Sequence, residues 1–170
     1  MKRILLLSLL VLFGCIQNDK LSFDIDLPEG YQIEKSEDKY NLLSASKYKN
    51  GEVIGMIAIR YSDDWSFSDF KDNDEFISGM IDDLYTEEKL SIAFDNIKIH
   101  SKKKMYLKGV GDVYSTMYSG DDYSNGLRIT TFGVQFIKNE KLYTLLGQTF
   151  PEYISEEFKD YLKSFDTFKF

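Results

Sequence analysis

The sequence predicts an α+β domain in which an antiparallel sheet of about six or seven strands is flanked by helices. Three observations predict this class. Most of the chain alternates apolar and polar residues with a period of two, which is typical of strands. Two segments carry an apolar stripe with the helical period. The later strands are joined by short turns, which favour antiparallel neighbours because parallel strands need long crossovers.

The first half of the sheet is predicted from four segments, at residues 22–27, 31–35, 41–48 and 52–61. In the first segment, Phe23, Ile25 and Leu27 are expected to point inward. A Lys-Asn-Gly turn joins the third and fourth segments as a hairpin. The fourth segment is almost continuously apolar, which predicts a central strand that is covered on both faces.

Two helices are predicted from the helical period. The first covers residues 73–89, behind a polar start that supplies a cap and negative charge. The second covers residues 156–164, behind a capping Ser155. Its apolar face is formed by Phe158, Tyr161, Leu162 and Phe165.

Strand periodicity also fills the stretch between the two helices. The basic run at residues 101–104 interrupts it and is predicted as a turn. A polar loop is predicted at residues 119–126 and a turn at residues 139–140. The strands between these breaks are predicted at residues 97–100, 105–107, 111–118, 127–138 and 141–150.

The N-terminal segment has the organisation of a secretory signal. Lys2 and Arg3 precede residues 4–13, which are apolar apart from Ser8. A run of this length covers about 15 Å as a helix, half of the roughly 30 Å hydrocarbon core of a bilayer. It is therefore short for a transmembrane helix and typical of the apolar region of a signal peptide.

Cys15, the only cysteine of the chain, directly follows this run. The sequence Leu12-Phe13-Gly14-Cys15 resembles the lipobox of bacterial lipoproteins, which implies cleavage before the cysteine and acylation of its thiol. A free thiol or half of an intermolecular disulfide is the alternative. The implied organisation is a signal peptide at residues 1–14, acylated Cys15 and a tether at residues 15–21, and one domain at residues 22–170.

The membrane is therefore a predicted partner of the protein, through acylated Cys15. From Cys15 to Phe23 there are eight residue steps, which span at most about 28 Å. Ile16 stands where an aspartate retains lipoproteins in the inner membrane of enterobacteria. This favours the periplasmic face of the outer membrane over the inner membrane.

Composition argues against a nucleic-acid partner. Removal of Lys2 and Arg3 with the signal changes the net charge from −7 to −9. Nucleic-acid binding needs a clustered basic face, which an acidic domain of this kind does not supply. The one cluster of lysines, at residues 102–104, is a solvated turn or a contact to anionic headgroups.

A resemblance to the PsbP-like domain follows from the order of elements. A short strand runs into Pro-Glu-Gly-Tyr at residues 27–31. A mid-chain helix and a four-strand meander follow. The last helix ends in Ser164-Phe165. The superfamily includes the extrinsic photosystem II subunit and periplasmic lipoproteins of the DcrB type. The resemblance implies a curved antiparallel sheet between helices, and a role in binding, assembly or chaperoning instead of catalysis.

No set of residues predicts catalysis, a metal site or a cofactor. His100 is the only histidine, so no tetrahedral zinc site can be completed, and its spacing predicts no serine triad. The loop that starts at Asp121 departs from a calcium loop at Tyr123 and at Phe132, where oxygen ligands are required. The sequence predicts that the protein is not an enzyme. A carboxylate-dependent hydrolase of envelope glycans is the enzymatic alternative.

The segment at residues 61–72 is the candidate partner-binding surface, together with Tyr123 of the polar loop. It combines aromatic and acidic side chains, as interface hot spots do. The candidate residues of this segment are Asp63, Asp64, Trp65, Phe67 and Phe70. The aromatic side chains either bind a partner or close the core beneath a loop.

The predicted function is an accessory lipoprotein that docks on an envelope protein, and the alternative is an immunity lipoprotein that neutralises a toxin delivered to the periplasm.

Overall fold

A computed structural model describes residues 23–62 and 74–170, with the backbone alone for residues 74–76. The fold is α+β, as predicted, and is built on one open seven-stranded sheet in the order β1-β2-β3-β7-β6-β5-β4. Every neighbouring pair of strands is antiparallel. The strands are β1 (Tyr31–Glu34), β2 (Asn41–Lys49), β3 (Glu52–Ser62), β4 (Phe94–Leu107), β5 (Gly111–Asp122), β6 (Arg128–Lys138) and β7 (Lys141–Thr149).

The helices lie on opposite faces of the sheet. The helices are α1 (Asp74–Leu84), α2 (Glu87–Leu90) and α3 (Ile154–Asp166). Val134 belongs to the core with Phe165 of α3, whereas the Gln135 amide donates to the Tyr85 hydroxyl directly after α1. Because consecutive strand residues point to opposite faces, α3 covers one face and α1 the other. None of the helices in the described ranges is long and apolar enough to span a bilayer.

The core lies between the sheet and α3 and is rich in aromatic rings. Phe132 of β6 stacks on Phe165 of α3 with ring centroids 5.9 Å apart, and Phe136 stacks on Tyr143 at 5.5 Å. The apolar face of α3 predicted from helical spacing is the face that packs here. The four-strand meander β4 to β7 and the interior position of β3 are also confirmed.

The predicted turn at residues 101–104 is wrong. These residues belong to β4, a continuous strand at the edge of the sheet. An edge strand has only one neighbour, so polar side chains are tolerated on both of its faces and the alternation is lost. Lys102 and Lys103 pair with Thr116 and Ser115 of β5 in an unbroken register.

Other predicted elements also differ from the structure. The polar loop predicted at residues 119–126 is shorter and lies later, because β5 continues to Asp122 and β6 begins at Arg128. Residues 23–27 form no strand, although Phe23, Ile25 and Leu27 do pack on the core and Asp24 forms one bridge with Lys169. The first predicted helix is broken after Leu84, because Thr86 caps α2 by accepting a hydrogen bond from the Lys89 amide. Ser155 lies inside α3 and caps nothing, because the 3-10 helix Pro151–Tyr153 leads directly into α3.

Candidate binding cleft

A cleft of about 590 Å³ opens between α3 and the segment that precedes β1. Two hydrogen bonds fix the segment to α3 and to the residue that follows it. The Ser164 hydroxyl donates to the Asp26 carbonyl, and the Asp26 amide donates to the hydroxyl of Thr167, directly after α3. The charged residues that line the cleft are Asp26, Glu29, Lys47, Glu156, Asp160 and Lys163. We call this feature the α3 cleft.

A buried carboxylate lies beneath the α3 cleft. Glu157 has no exposed side-chain surface, and its Oε1 atom lies 2.7 Å from the Nζ atom of Lys47. Its Oε2 atom accepts a hydrogen bond of 2.6 Å from the Tyr31 hydroxyl. Both carboxylate oxygens therefore have partners, as a charge buried away from water requires.

Lys47 joins this buried group to the cleft. Its side chain is 18% exposed and its Nζ atom also lies 3.6 Å from Asp160. Burial alone would lower the pKa of Lys47, but the hydrogen bond and the charge of Glu157, with Asp160 nearby, raise it above its usual value. Lys47 therefore remains a cation and keeps the carboxylates of α3 in fixed positions.

Two glycines make room for this polar group on the sheet. A Cβ atom on Gly147 of β7 would overlap the ring of Tyr161, and one on Gly55 of β3 would lie 3.0 Å from Glu157 Oε2. The Tyr161 hydroxyl donates to the Gln148 carbonyl, so the ring lies flat against β7. Glycine inside a strand thus marks a close approach of another side chain to the backbone.

The chemistry that the α3 cleft supports is binding. Glu157 cannot touch a ligand because none of its side-chain surface is exposed. Lys47 lies between Glu157 and Asp160, so both carboxylates are already in ion pairs. The remaining charges of the rim are three carboxylates, on Asp26, Glu29 and Glu156, and the amine of Lys163. Such a rim favours a positively charged group.

The residues predicted from sequence to bind a partner lie largely outside the described residues, as does Cys15. Asp63, Asp64, Trp65, Phe67 and Phe70 follow Ser62, the last residue of β3. Ser62 borders a second cleft of about 340 Å³ on the face that carries α1. Its aromatic walls are Tyr40, Tyr61, Tyr85 and Tyr118.

Tyr123 lies at the opposite end of the sheet from Ser62. It is 53% exposed in the β5–β6 loop, and its hydroxyl donates to Asp95. Ser62 pairs with Leu142, at the end where β7 begins. The length of β5 separates these two ends, which at about 3.3 Å per residue is on the order of 35 Å. The sheet therefore does not bring Tyr123 to the strand end from which residues 63–73 leave.

His100 has a partner that its sequence position did not predict. Its Nε2 atom lies 2.9 Å from the Ser119 hydroxyl, and Arg128 donates to the same hydroxyl at 3.2 Å. Burial, with the charges of Lys98 and Arg128, lowers the pKa of His100. Within the described ranges no carboxylate bonds to the ring of His100, so the pair is not a triad.

The carboxylates of the loop that resembles a calcium site are already engaged. Asp121 accepts hydrogen bonds from Asn96 and Arg128, which lower the pKa of this carboxyl. Asp122 accepts from the amide and hydroxyl of Ser124 and stabilises the turn. The described part of the chain contains no group of three or more residues placed to hold a metal ion.

Solved structures with a similar fold are known. No family model and no curated protein matches the chain. LpqN of Mycobacterium tuberculosis, which is involved in cell envelope biogenesis, is 9% identical with a TM-score of 0.55, covering 86% of this chain and 82% of its own. CyanoP, the PsbP protein of Synechocystis, is 10% identical with a TM-score of 0.54, covering 86% and 85%.

A third similar structure is PA94 of Pseudomonas aeruginosa, a protein of unknown function proposed to be a regulator. It is 12% identical with a TM-score of 0.50, covering 66% of this chain and 70% of its own. The described residues therefore have the α+β fold of PsbP, as the order of elements predicted.

Proposed function

We propose that the chain is an envelope lipoprotein, anchored through acylated Cys15, whose PsbP-like domain is a non-catalytic accessory module that docks on an envelope partner. The α3 cleft carries the proposal. It is open to solvent, and the buried pair of Lys47 and Glu157 fixes its floor before any partner arrives. Preformed concave sites of this kind bind at low entropic cost.

The partner segment that fits the α3 cleft is basic. Lys47 is neutralised within the structure, so the rim presents the carboxylates of Asp26, Glu29 and Glu156 against one amine, that of Lys163. Complementary charge of this kind speeds association and selects against acidic partners. A lysine- or arginine-rich segment of an envelope protein has the required chemistry.

Two further arguments support the location in the envelope. The lipobox-like sequence before Cys15 supports export and anchoring, and Ile16 supports the periplasmic face of the outer membrane. The similar fold of LpqN, a protein involved in cell envelope biogenesis, agrees with a role in the same compartment. Outer-membrane attachment remains part of the proposal.

A second docking surface is proposed at residues 61–72, with Trp65, Phe67 and Phe70 as its aromatic anchors and Asp63 and Asp64 beside them. Its first residues, Tyr61 and Ser62, border the second cleft. Tyr123 belongs to a separate surface, because it lies at the other end of the sheet.

The alternative function is an immunity lipoprotein that neutralises a basic toxin delivered to the periplasm. The acidic rim of the α3 cleft is the observation that favours it. Gene neighbourhood separates the two functions, because an immunity gene lies beside its toxin gene and an accessory gene lies beside envelope machinery.

Site-specific photo-crosslinking in cells tests the proposal. A photoreactive residue at Lys163, on the rim of the cleft, should capture one envelope protein, whereas the same residue at Lys89, exposed in α2, should not. Charge reversal by Glu29→Lys with Glu156→Lys should abolish the crosslink from position 163. Equal crosslinking from positions 163 and 89, or crosslinking that survives the charge reversal, would refute docking at the α3 cleft.

A further inference from the structure

The chain enters its domain beside the C-terminal segment. Phe23 stacks on Phe168 with ring centroids 5.6 Å apart. The backbones of Asp24 and Lys169 exchange two hydrogen bonds, of 2.9 and 3.1 Å. Any tether that precedes Phe23 therefore leaves the domain at this point, which we call the tether end.

Two turns of the sheet meet at the tether end. The Lys108 amide, in the β4–β5 turn, donates to Asp166 at 2.7 Å, and the backbone of Gly109 contacts that of Phe168. The ring of Phe170 lies 4.8 Å from that of Tyr143, the third residue of β7 after the β6–β7 turn. The start of the described chain, its last residues and both turns thus form one surface. β3 ends at the same end of the sheet, at Ser62, so the second docking surface proposed above begins beside the tether end.

The composition of the tether end is that of a membrane interface. Tyr106 is 67% exposed and Phe170 is 42% exposed, although both are large aromatic side chains. Aromatic rings and long amines are the side chains that favour the headgroup region, since each combines an apolar body with a polar end. The lysines of this end are Lys104, Lys108, Lys138, Lys141 and Lys169.

Among the described residues, charge is unevenly distributed between the two ends of the sheet. At the tether end, the five lysines are accompanied by Asp24, Asp112, Glu140 and Asp166. The β1–β2 connection lies at the same end and adds charges that balance, Lys35 and Lys39 against Glu37 and Asp38. Asp112 pairs with Lys104 and Asp24 with Lys169, which leaves Lys108, Lys138 and Lys141 beside Glu140 and Asp166. The opposite end, formed by the β2–β3 turn, the β5–β6 loop and the start of the 3-10 helix, has Lys49 and Arg128 as its cations. Its carboxylates are Glu52, Asp95, Asp121, Asp122 and Glu152.

We propose that the tether end is a membrane-contact surface that rests on a bilayer containing anionic headgroups. The inference rests on the proposed acylation of Cys15, which keeps Phe23 within about 28 Å of the lipid. A tether of that length lets this end of the domain reach the lipid surface. Within about one Debye length of an anionic surface, roughly 8–10 Å, lysines are attracted and carboxylates repelled, so the charge asymmetry orients the domain there. Tyr106 and Phe170 then enter the headgroup region.

This orientation holds the sheet strands upright on the membrane. The β5–β6 loop with Tyr123 lies farthest from the lipid, and the α3 cleft opens to the side. A partner that docks at the α3 cleft therefore lies beside the domain, within reach of the same membrane.

The test uses the full, lipid-anchored chain in vesicles of phosphatidylcholine with or without phosphatidylglycerol. Acylation removes the only native thiol, so one introduced cysteine can be labelled uniquely with a fluorophore. Lys138→Cys places the label at the tether end, and Asn125→Cys places it at the opposite end as the matched control. A spin-labelled headgroup should quench the label at position 138 several-fold more than that at position 125.

Two further variants test the role of charge. Lys108→Glu with Lys169→Glu should reduce the quenching at position 138, whereas Lys49→Glu with Lys89→Glu should leave it unchanged. Equal quenching at both positions, or quenching that is independent of phosphatidylglycerol, would overturn the inference. Neither result would contradict the proposed acylation of Cys15. A chain that does not float with the vesicles because Cys15 carries no lipid would overturn both the inference and the proposed anchor.

Discussion

The Nζ atom of Lys47 lies 2.7 Å from the Oε1 atom of Glu157, although 110 positions separate the two residues. Lys47 belongs to β2 and Glu157 to α3, so their ion pair fastens the helix to the first half of the sheet. Tyr31 extends the contact to β1. The floor of the α3 cleft therefore depends on one buried carboxylate.

Glu157→Ala is expected to destabilise the domain strongly. It leaves the Lys47 amine and the Tyr31 hydroxyl without their main partner, and breaking a buried pair costs about 3–5 kcal/mol of the free energy of unfolding. Glu156→Ala, at the exposed neighbouring position, should change this free energy by less than about 0.5 kcal/mol. Urea denaturation of both variants gives the comparison. Equal effects of the two substitutions would show that the pair does not hold α3.

Alkaline pH is expected to destabilise the domain. Burial, together with a neighbouring tyrosine in each case, raises the pKa of Tyr85 and of Tyr143 to about 12. Burial also raises the pKa of Tyr31. Unfolded tyrosine loses its proton near pH 10, so the unfolded state binds fewer protons between about pH 10 and about pH 12. The stability is complete below about pH 10 and falls as the pH rises towards these pKa values.

Tyrosinate absorbance measures this effect directly. In the folded protein, part of the signal should appear only above about pH 11, and Tyr85→Phe should reduce that late part. In urea, all tyrosines should titrate together near pH 10. A folded protein whose tyrosines all titrate near pH 10 would contradict the buried positions of Tyr85 and Tyr143.

Gly147→Ala is expected to displace α3. The new Cβ atom would overlap the ring of Tyr161, and overpacking of this kind costs about 1–3 kcal/mol. Gly79→Ala is the matched control, because no described atom lies within 4 Å of that Cβ position in α1. It should stabilise the helix by about 0.5–1 kcal/mol. Thermal denaturation shows the opposite signs, and the same sign for both would count against the close packing of Tyr161 on β7.

Trp65→Ala tests the second docking surface. If Trp65 is an interface residue, the substitution should abolish partner crosslinking while the melting temperature stays nearly unchanged. A loss of about 3–5 kcal/mol of stability would instead identify Trp65 as a core residue and withdraw this surface. Phe67→Ala, measured in parallel, shows whether the effect extends along the segment.

The sheet could be predicted from sequence wherever one face of a strand is buried. β7 alternates in this way, and β6 keeps apolar residues at every second position, Phe132, Val134 and Phe136, although both of its faces are buried. The hairpins of β5, β6 and β7 follow from short polar turns. β4 could not be predicted in full, because as an edge strand it carries Lys102 and Lys103 on opposite faces, Lys103 exposed and Lys102 paired with Asp82 of α1. A register shift between Ile99 and Ser101 also turns His100 towards Ser119, a contact that only the pairing of two strands reveals.

The residues that form the α3 cleft could be recognised from the sequence only in part. Glu157 lies four residues before Tyr161 and therefore on the apolar face of α3, but a glutamate at such a position is ordinarily taken as exposed. Gly55 and Gly147 inside apolar strands were the other signal, since glycine there marks a close approach. Lys47, the ion-pair partner of Glu157, lies 110 positions away in the sequence, so no local pattern could identify it.

Metabolic labelling with a fatty-acid analogue tests most directly the central claim, that Cys15 holds this domain at a membrane. The account predicts that the wild-type protein takes up the label and sediments with the envelope, and that Cys15→Ala takes up none. A Cys15→Ser variant serves as a second control, because its hydroxyl replaces the thiol at nearly the same size. A Cys15→Ala protein that is still labelled and still partitions into membranes would contradict the account.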